Sequence, residues 1–218
     1  MKKTIYLDHA ATTYIKEEVL NEMYPYLTKK FGNPSSIHSL GINSKLAIEC
    51  SRYNVANALK CDVGEVYFTS SGTEANNWAI IGVAFANKSK GNHIITTQIE
   101  HPSVLKTCEY LSENGFEITY LKVNEYGMIS LDELKASISR KTILISIMFA
   151  NNVVGTIQPV KEIGQIAKER NILFHTDAVQ AVGSVPIDVK EYNIDLLSLS
   201  GHKIYAPKGI GALFIRNG

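Results

Sequence analysis

The sequence has no excess of either charge. Its 218 residues include 22 Lys and Arg against 21 Asp and Glu, which gives a formal net charge of +1 at pH 7. Proteins that bind nucleic acid or anionic membranes electrostatically present concentrated basic residues. We therefore expect no direct nucleic-acid binding.

Long apolar segments are also missing. The longest, residues 143–150, is interrupted by Ser146 and falls well short of the ~18 residues that a membrane helix needs. The first residues, MKKTIYLDHAATT, contain no signal-peptide hydrophobic region. No repeat, low-complexity tract or linker is evident. We expect no membrane association and a cytoplasmic location.

Cysteine is scarce, and metal-ligand spacing is absent. Cys50, Cys61 and Cys108 are odd in number and far apart in the sequence. This favours a reduced setting and predicts no metal site. With 45% hydrophobic and 20% charged residues, the composition is that of an ordinary globular protein, long enough for one or two domains.

What the sequence does contain, from about residue 66 onward, is an alternation of strand and helix patterns. Apolar runs predict strands at residues 66–69, 93–98, 116–123, 143–149, 172–177 and 194–200. Between them lie helical patterns, one carrying Trp78, Ile81 and Phe85, others opening at Pro102, Ser130 and Pro159. This order predicts an α/β fold with a mostly parallel central sheet and helices on both faces. The first 65 residues differ, with an extended start, a turn at residues 32–34 and a polar helix at about 44–59.

Two predicted strands end in complementary chemical groups. One closes on Asp177, and the other is followed by Gly201, His202 and Lys203. Ligands of parallel sheets bind at the carboxyl ends of strands. Pyridoxal phosphate chemistry needs an amine for a Schiff base and an acid that keeps the pyridine nitrogen protonated. Taken singly, a lysine after a strand is usually a solvated loop residue, and such an aspartate is often a helix cap.

The segment TSSGTE, at residues 69–74, joins a strand to a helix. Its small residues, Gly72 among them, let the backbone approach an anion, and a helix N-terminus supplies N–H groups. Thr73 adds a hydroxyl. The alternative is a capped helix start with Ser71 or Thr73 as the N-cap.

Further polar residues follow other strands. His101 is placed to stack on a planar cofactor and move protons, or simply to cap a helix. The Asn151-Asn152 pair offers amide donors or forms a turn. Gln180 follows Asp177 by one turn. Ser200 and His202 flank Gly201 and predict phosphate contacts, while residues 207–211 fit either a tight backbone path or a hairpin loop.

The chain resembles the cysteine desulfurases, the NifS-type branch of the class V aminotransferases, which are fold type I pyridoxal-phosphate enzymes. Seven segments carry the resemblance in order: YLDHAATT (6–13), FGNPSSIHSLG (31–41), FTSSGTEANN (68–77), EHPSV (100–104), NNVVGTIQPV (151–160), HTDAVQAVG (175–183) and SGHKIYAPKGIGALF (200–214).

The resemblance implies a role for each matching residue. Lys203 would hold pyridoxal 5'-phosphate as a Schiff base and carry protons, with Asp177 paired to the pyridinium nitrogen. His101 would stack on the ring and assist proton transfer. The remaining implied contacts are Asn152 and Gln180 on the phenolate side, and Gly72, Thr73, Ser200 and His202 around the phosphate.

The resemblance also implies an activity and partners. Family members take sulfur from L-cysteine, release L-alanine and hold the sulfur as an enzyme persulfide. They pass it to a scaffold for iron–sulfur clusters or to a tRNA-thiolation protein. A homodimer is implied. The alternatives are a selenocysteine lyase, another class V aminotransferase, or a non-catalytic short paralogue that binds the cofactor.

Two departures from the family pattern affect these expectations. Ala206 stands where the family usually has Gly, which matters if the backbone there needs positive φ. The resemblance also implies an N-terminal arm at residues 1–16, a large cofactor-binding domain at residues 17–218, and an absent C-terminal small domain. The nucleophilic cysteine, the substrate-binding arginine and a partner-subunit phosphate contact would lie in that missing part. We therefore expect this chain to hold cofactor poorly and to lack normal turnover.

Overall fold

The computed structural model describes residues 5–217, in which seven strands form one sheet in the order β1-β7-β6-β5-β4-β2-β3. The strands are β1 (Val66–Thr69), β2 (His93–Thr97), β3 (Glu117–Leu121), β4 (Thr142–Ser146), β5 (Leu173–Asp177), β6 (Leu196–Ser200) and β7 (Gly211–Ile215). The neighbouring pairs β3/β2, β2/β4, β4/β5 and β5/β6 are all parallel, so the prediction of a mostly parallel sheet is confirmed.

Strand β7 is the exception, since it runs antiparallel to both neighbours, β1 and β6. It returns from β6 through the loop at residues 201–210, so the hairpin alternative for residues 207–211 is correct. At its start, Gly211 lies against the backbone of Ser71, where a Cβ on this glycine would fall 2.7 Å from the Ser71 carbonyl carbon. The close approach joins β7 to the loop after β1.

Helices cover both faces of the sheet, as predicted. They are α1 (Glu17–Thr28), α2 (Ser39–Leu59), α3 (Gly72–Ala86), α4 (Pro102–Glu113), α5 (Leu131–Ser137) and α6 (Val160–Glu169). Helices α3 and α4 pack on one face, against Ile94, Leu144 and Leu213. Helices α5, α6 and the end of α2 cover the other, against Ile95 and Phe174. Alternation along each strand supplies both cores.

Helix α3 turns its two aromatic residues outward. Trp78 and Phe85 are 45% and 44% exposed, whereas Ala75, Ala79 and Ile80 are buried against the sheet. Small side chains bring the helix axis close to the strands, and this positions the N-terminus of α3 beside the ends of β5 and β6.

The N-terminal part differs from the sequence-based expectation in two ways. Helix α1 is not predicted by the apolar pattern, and it buries none of its residues. Helix α2 begins at Ser39 rather than near residue 44. Residues 5–16 form an arm without helix or strand, while residues 1–4 of the predicted arm lie outside the described part. The division into arm and large domain stays a prediction.

Two features are absent from the described residues. Among residues 5–217, no helix has the length and apolar character needed to cross a bilayer. In the same range, no three His, Cys, Asp or Glu side chains gather as metal ligands would.

Candidate cofactor site

A cavity of about 540 Å³ opens at the carboxyl ends of β5 and β6, beside the start of α3. Its size is within the range of small-molecule sites. The structure brings every predicted site residue to its wall: Gly72, Thr73, His101, Asn152, Asp177, Gln180, Ser200, His202 and Lys203. Residues separated by up to 131 positions in the sequence therefore face one space.

Asp177, the last residue of β5, is the buried acid of this cavity, at 6% exposure. Its Oδ1 accepts the Val179 backbone N–H at 3.0 Å, and its Oδ2 accepts the Asn76 amide at 2.7 Å. Burial raises the pKa of Asp177, while these two hydrogen bonds and the nearby charges of His101 and Lys203 oppose the rise. The net direction of the pKa is upward, so this carboxyl is protonated more easily than a free aspartate, and a cation beside it would favour its ionised form.

Lys203 lies on the 3-10 turn Gly201–Lys203 that follows β6. Its amine donates to the backbone carbonyl oxygens of Ala10 and Ala11, the latter at 2.9 Å. Burial lowers the pKa of Lys203, and the negative charges of Asp8 and Asp177 oppose that shift. A lowered pKa increases the fraction of neutral, nucleophilic amine.

The arm is fastened to the lysine turn by Thr13, which is buried. The Thr13 hydroxyl donates to the His202 carbonyl at 3.0 Å and accepts the Tyr205 N–H at 2.9 Å. The Thr13 N–H also donates to that His202 carbonyl, at 2.9 Å. Together these bonds hold residues 8–13, the strap, against the lysine turn, with Asp8, Ala10 and Ala11 in the cavity wall.

The start of α3 lies in the cavity wall, where we expect it to serve as a cup for an anion. Ser71 is the N-cap, with its Oγ accepting the Glu74 N–H at 3.1 Å, so the capping alternative is also correct. The N–H groups of Gly72 and Thr73 belong to the first turn, which leaves them without intrahelical acceptors. A Cβ on Gly72 would lie 2.7 Å from Val179 Cγ2, so only glycine fits this wall without a shift.

His101 both caps α4 and lines the cavity. Its Nδ1 accepts the Ser103 backbone N–H at 3.1 Å and lies 2.7 Å from the Ser103 hydroxyl. The Ser103 hydroxyl is in turn 2.9 Å from Nδ2 of Asn76, the same amide that reaches Asp177. One chain of hydrogen bonds thus runs from Asp177 to the imidazole.

The two remaining predicted contacts are less tightly held. Gln180 donates from Nε2 to the Ala10 carbonyl at 3.0 Å, so in this structure it contacts the strap. Asn152 is exposed in a turn that its neighbour stabilises, since Oδ1 of Asn151 accepts the N–H groups of Val153 and Val154. The turn alternative for the Asn151-Asn152 pair is therefore correct, while amide donation from Asn152, which lies in the cavity wall, stays a prediction.

Several site residues are not predicted from the sequence. The strap residues Ala10, Ala11 and Thr13 have no chemical signature of their own. Asn76 has one, because it follows Gly72 by four residues on a helix and therefore shares its face.

Glu100 is a further buried acid next to this region. Its Oε1 accepts from the Thr97 hydroxyl at 2.7 Å and the Met148 N–H at 2.9 Å, while Oε2 is buried with no partner. Burial raises the pKa of Glu100 to about 8, with a smaller contribution from the negative charge of Asp177. At neutral pH the side chain is therefore mostly protonated.

The cysteines stand apart from the cavity, whose wall includes none of them. Burial raises the pKa of Cys61 to about 11 and that of Cys108 to about 12, which keeps both as unreactive thiols. Cys50 is exposed on α2. That none of the three is a sulfur acceptor stays a prediction.

The substitution at Ala206 carries no backbone strain. Among residues 5–217 positive φ occurs in this loop at Tyr205 (φ 62°) and Gly209 (φ 90°), not at Ala206. The Tyr205 ring packs edge-on against Tyr14, with Lys16 Nζ 4.4 Å above it. The condition under which Ala206 would matter, a positive φ, is therefore not met at this position.

Comparison with curated proteins identifies close relatives. The chain is 62% identical over 216 residues to a protein of Methanosarcina thermophila named cysteine desulfurase IscS, covering 99% of this chain and 54% of that protein. It is 57% identical over 218 residues to a protein of the same name from Clostridium botulinum strain Hall, covering 100% of this chain and 55% of the relative. The chain thus spans about half the length of these relatives.

Solved structures agree with the fold. A structure described as SspA in complex with cysteine superposes with a TM-score of 0.95 at 44% identity, covering 98% of this chain and 62% of that one. A NifS-like protein gives a TM-score of 0.96 at 42% identity, covering 99% and 60%. The profile described as aminotransferase class V matches residues 5–218. With this match and these relatives, the chain belongs to the class V aminotransferase family.

Proposed function

We propose that this chain forms the pyridoxal-phosphate-binding part of a cysteine desulfurase. The observation that carries the proposal is the meeting of the Lys203 amine, the Asp177 carboxylate and the start of α3 in one cavity. It is supported by relatives named cysteine desulfurase at 57% and 62% identity. The cavity wall carries an amine, an acid and an anion cup, which are the three groups that this cofactor requires.

The residues present fit the cofactor. Lys203 would hold its aldehyde carbon, and Asp177 would pair with its protonated pyridine nitrogen. Gly72, Thr73, Ser200 and His202 would surround its phosphate, where the narrow wall at Gly72 leaves room for backbone N–H groups but not for a side chain. When bound, the cofactor supplies an electron sink for bonds at the substrate α-carbon.

The protein's own groups would prepare that chemistry. Burial keeps part of Lys203 neutral and able to attack a carbonyl, and the strap fixes where its amine lies. Asp177, buried and held by Asn76 and Val179, offers one well-defined partner to a pyridinium. His101 would cover the ring and exchange protons with the substrate.

We further propose L-cysteine as the substrate and an iron–sulfur scaffold or a tRNA-thiolation protein as the sulfur acceptor. A related structure holds cysteine, according to its description. A cytoplasmic homodimer remains part of the proposal. The many exposed apolar side chains of the first 53 residues, among them Leu7, Phe31, Ile37 and Leu46, are consistent with a covered surface in an assembly.

Visible absorbance of the chain mixed with pyridoxal phosphate, before and after borohydride, tests the proposal. We expect a reducible band and, by mass spectrometry, cofactor fixed on the peptide that contains Lys203. Lys203→Ala should abolish both. Lys208→Ala is the matched control, because Lys208 is an exposed lysine on the same loop and outside the cavity wall. An unchanged band in Lys203→Ala would contradict the assignment.

Substrate class is tested with the loaded chain. L-Cysteine should perturb the band at lower concentration than L-alanine or L-serine, with L-selenocysteine as the comparison for a selenocysteine lyase. A response to L-selenocysteine alone would replace the desulfurase assignment. Binding of cofactor without any response to amino acids would favour a non-catalytic paralogue.

A further inference from the structure

Asn76 and Ser103 connect the buried acid of the site to its histidine. Neither is among the residues that the sequence resemblance marks for a role. Both are buried, at 1% and 8% exposure, and both belong to the cavity wall. Their geometry determines the donor and the acceptor of each hydrogen bond between Asp177 and His101.

The direction is set at Asp177. Its Oδ1 accepts the backbone N–H of Val179, and its Oδ2 lies 2.7 Å from Asn76. This oxygen accepts the bond, so the Asn76 side chain presents its NH₂ group to Asp177. The opposite orientation would place two oxygen acceptors against each other.

The second N–H of that amide then fixes Ser103. Nδ2 of Asn76 lies 2.9 Å from the Ser103 hydroxyl oxygen, which must accept this bond. The hydroxyl hydrogen of Ser103 is therefore directed elsewhere, and the neighbouring acceptor is Nδ1 of His101 at 2.7 Å. The Ser103 backbone N–H points to the same nitrogen at 3.1 Å.

Two donors directed at Nδ1 leave no room for a proton on it. From this we infer that Asn76 and Ser103 are positioning residues, which transmit the orientation of the Asp177 carboxylate to His101 and hold its imidazole in the tautomer protonated at Nε2. The nitrogen left for a molecule in the cavity is then a donor. Combined with the proposed function, on which this consequence rests, His101 begins the reaction as a hydrogen-bond donor rather than as a base.

The tautomer is a property of the chain alone, so it can be measured without cofactor or turnover. Imidazole ¹⁵N NMR of the folded chain, with His101 assigned by its loss in His101→Gln, separates a pyridine-type Nδ1 from a pyrrole-type Nε2. We expect the form protonated at Nε2 to dominate. A dominant form protonated at Nδ1 would overturn the inference.

Variants test each connection. Ser103→Ala removes one of the two donors, and the ratio of the two tautomers should fall about tenfold. Ser103→Thr keeps the hydroxyl and should restore the ratio. Ser112→Ala, an exposed serine of the same helix, is the matched control and should leave it unchanged. An unchanged ratio in Ser103→Ala would contradict the role of the hydroxyl.

Asp177→Asn tests transmission over the whole chain of bonds. The Val179 N–H requires an oxygen at one amide position, so the new NH₂ must face Asn76 and turn that side chain over. Ser103 then donates to Asn76 instead of His101, and the tautomer ratio should again fall about tenfold. The double variant Asp177→Asn, Ser103→Ala should fall no further than either single one.

The outcomes separate this inference from the proposed function. If the tautomer ratio falls in Ser103→Ala and Asp177→Asn but the chain does not bind the cofactor, the inference stands and the proposed function is refuted. If the cofactor is fixed on Lys203 but the tautomer ratio is the same in wild type, Ser103→Ala and Asp177→Asn, the proposed function stands and the inference is refuted. Thermal unfolding of each variant shows whether a change in the ratio comes from loss of the fold.

Discussion

The Lys203 amine lies 2.9 Å from the carbonyl oxygen of Ala11, 192 positions earlier in the chain. Neither alanine of the strap has a functional side chain, yet their backbone carbonyls determine where the lysine rests. The bond depends on Thr13, because this residue fastens the strap to the turn that carries Lys203.

Thr13→Val should loosen this arrangement. The substitution keeps the shape of the side chain but removes a hydroxyl that both donates and accepts, at a cost of about 1–3 kcal/mol in unfolding free energy. Freed from the strap, Lys203 should react faster with an amine-labelling reagent, as read by mass spectrometry. Thr28→Val is the control, since its hydroxyl bonds only within α1. Equal labelling rates in both variants would show that the strap does not restrain the lysine.

Gly72→Ala should weaken binding of pyridoxal phosphate at least tenfold. The added Cβ would meet Val179 Cγ2 at 2.7 Å and Ser200 Cβ at 3.3 Å, which displaces the wall of the anion cup. Val179→Ala in the same chain removes the first contact and should restore part of the affinity. Titration followed by absorbance measures both.

Gly82→Ala is the matched control for that substitution, since its Cβ would meet only Trp78 Cδ1 at 3.8 Å. This variant should keep its cofactor affinity and gain about 0.5–1 kcal/mol of stability, because alanine is the better helix former. Wild-type affinity in Gly72→Ala would place the phosphate elsewhere.

Glu100 should make the protein less stable as the pH rises. The pKa of Glu100 is about 8 in the folded chain, against 4.5 for an ordinary glutamate. Between pH 4.5 and pH 8 the unfolded chain has therefore lost a proton that the folded chain retains, and the free energy of unfolding falls as the pH rises. Glu100→Gln keeps the acceptor for Thr97 and Met148 but does not titrate. The free energy of unfolding of Glu100→Gln, relative to that of wild type, should therefore rise by up to about 1.4 kcal/mol per pH unit from pH 5 to 8.

Urea unfolding across that range is the measurement for Glu100, with the exposed Glu113→Gln as control. Parallel pH curves for wild type and Glu100→Gln would mean that Glu100 is ionised in the folded chain.

His175 should produce the opposite slope. It is fully buried between the hydroxyls of Ser146 and Ser198, at 2.8 Å and 3.0 Å, and burial lowers its pKa from 6.5 to about 3. As the pH falls through this window, the unfolded chain takes up a proton and the folded chain does not, so stability falls. His175→Gln should be less stable than wild type at neutral pH, because its hydrogen bonds are lost.

The stability difference between His175→Gln and wild type should narrow as the pH falls toward 4, as followed by urea unfolding. The exposed His38→Gln serves as control. A difference that stays constant with pH would contradict burial of a neutral imidazole.

Ala206→Gly should slightly destabilise the chain. No positive φ is required at this position, so glycine adds only freedom to the unfolded state, at a cost of about 0.4–1 kcal/mol. Urea unfolding measures the change. A gain in stability would indicate strain at Ala206.

The sequence predicts the parts of the site whose chemistry is local. Asp177 and Lys203 each end a strongly apolar strand, and the parallel sheet brings such ends together. The strap and the link through Asn76 and Ser103 are not predicted, because alanine carbonyls, a threonine and a serine have no pattern that distinguishes them. Their roles depend on contacts between segments as far apart as residues 13 and 205.

The strands and helices likewise fall into those that the sequence predicts and those that it misses. The five parallel strands carry long apolar runs and are predicted within a few residues. Strand β7 is missed because its glycine-rich approach is typical of a loop, and α1 is missed because it has no buried face to give an apolar period.

The position of β7 has a consequence for the order of assembly. Within the described sheet, β1 has only β7 as its neighbour, and β7 occupies residues 211–215. During synthesis the first strand must therefore wait until residues 211–215 have emerged before it can join the others. Gly211 also abuts Ser71 at the start of α3. We therefore expect the cavity wall at the start of α3 to be complete only once β7 is in place, so that a nascent chain would acquire an anion site there after the lysine turn has left the ribosome.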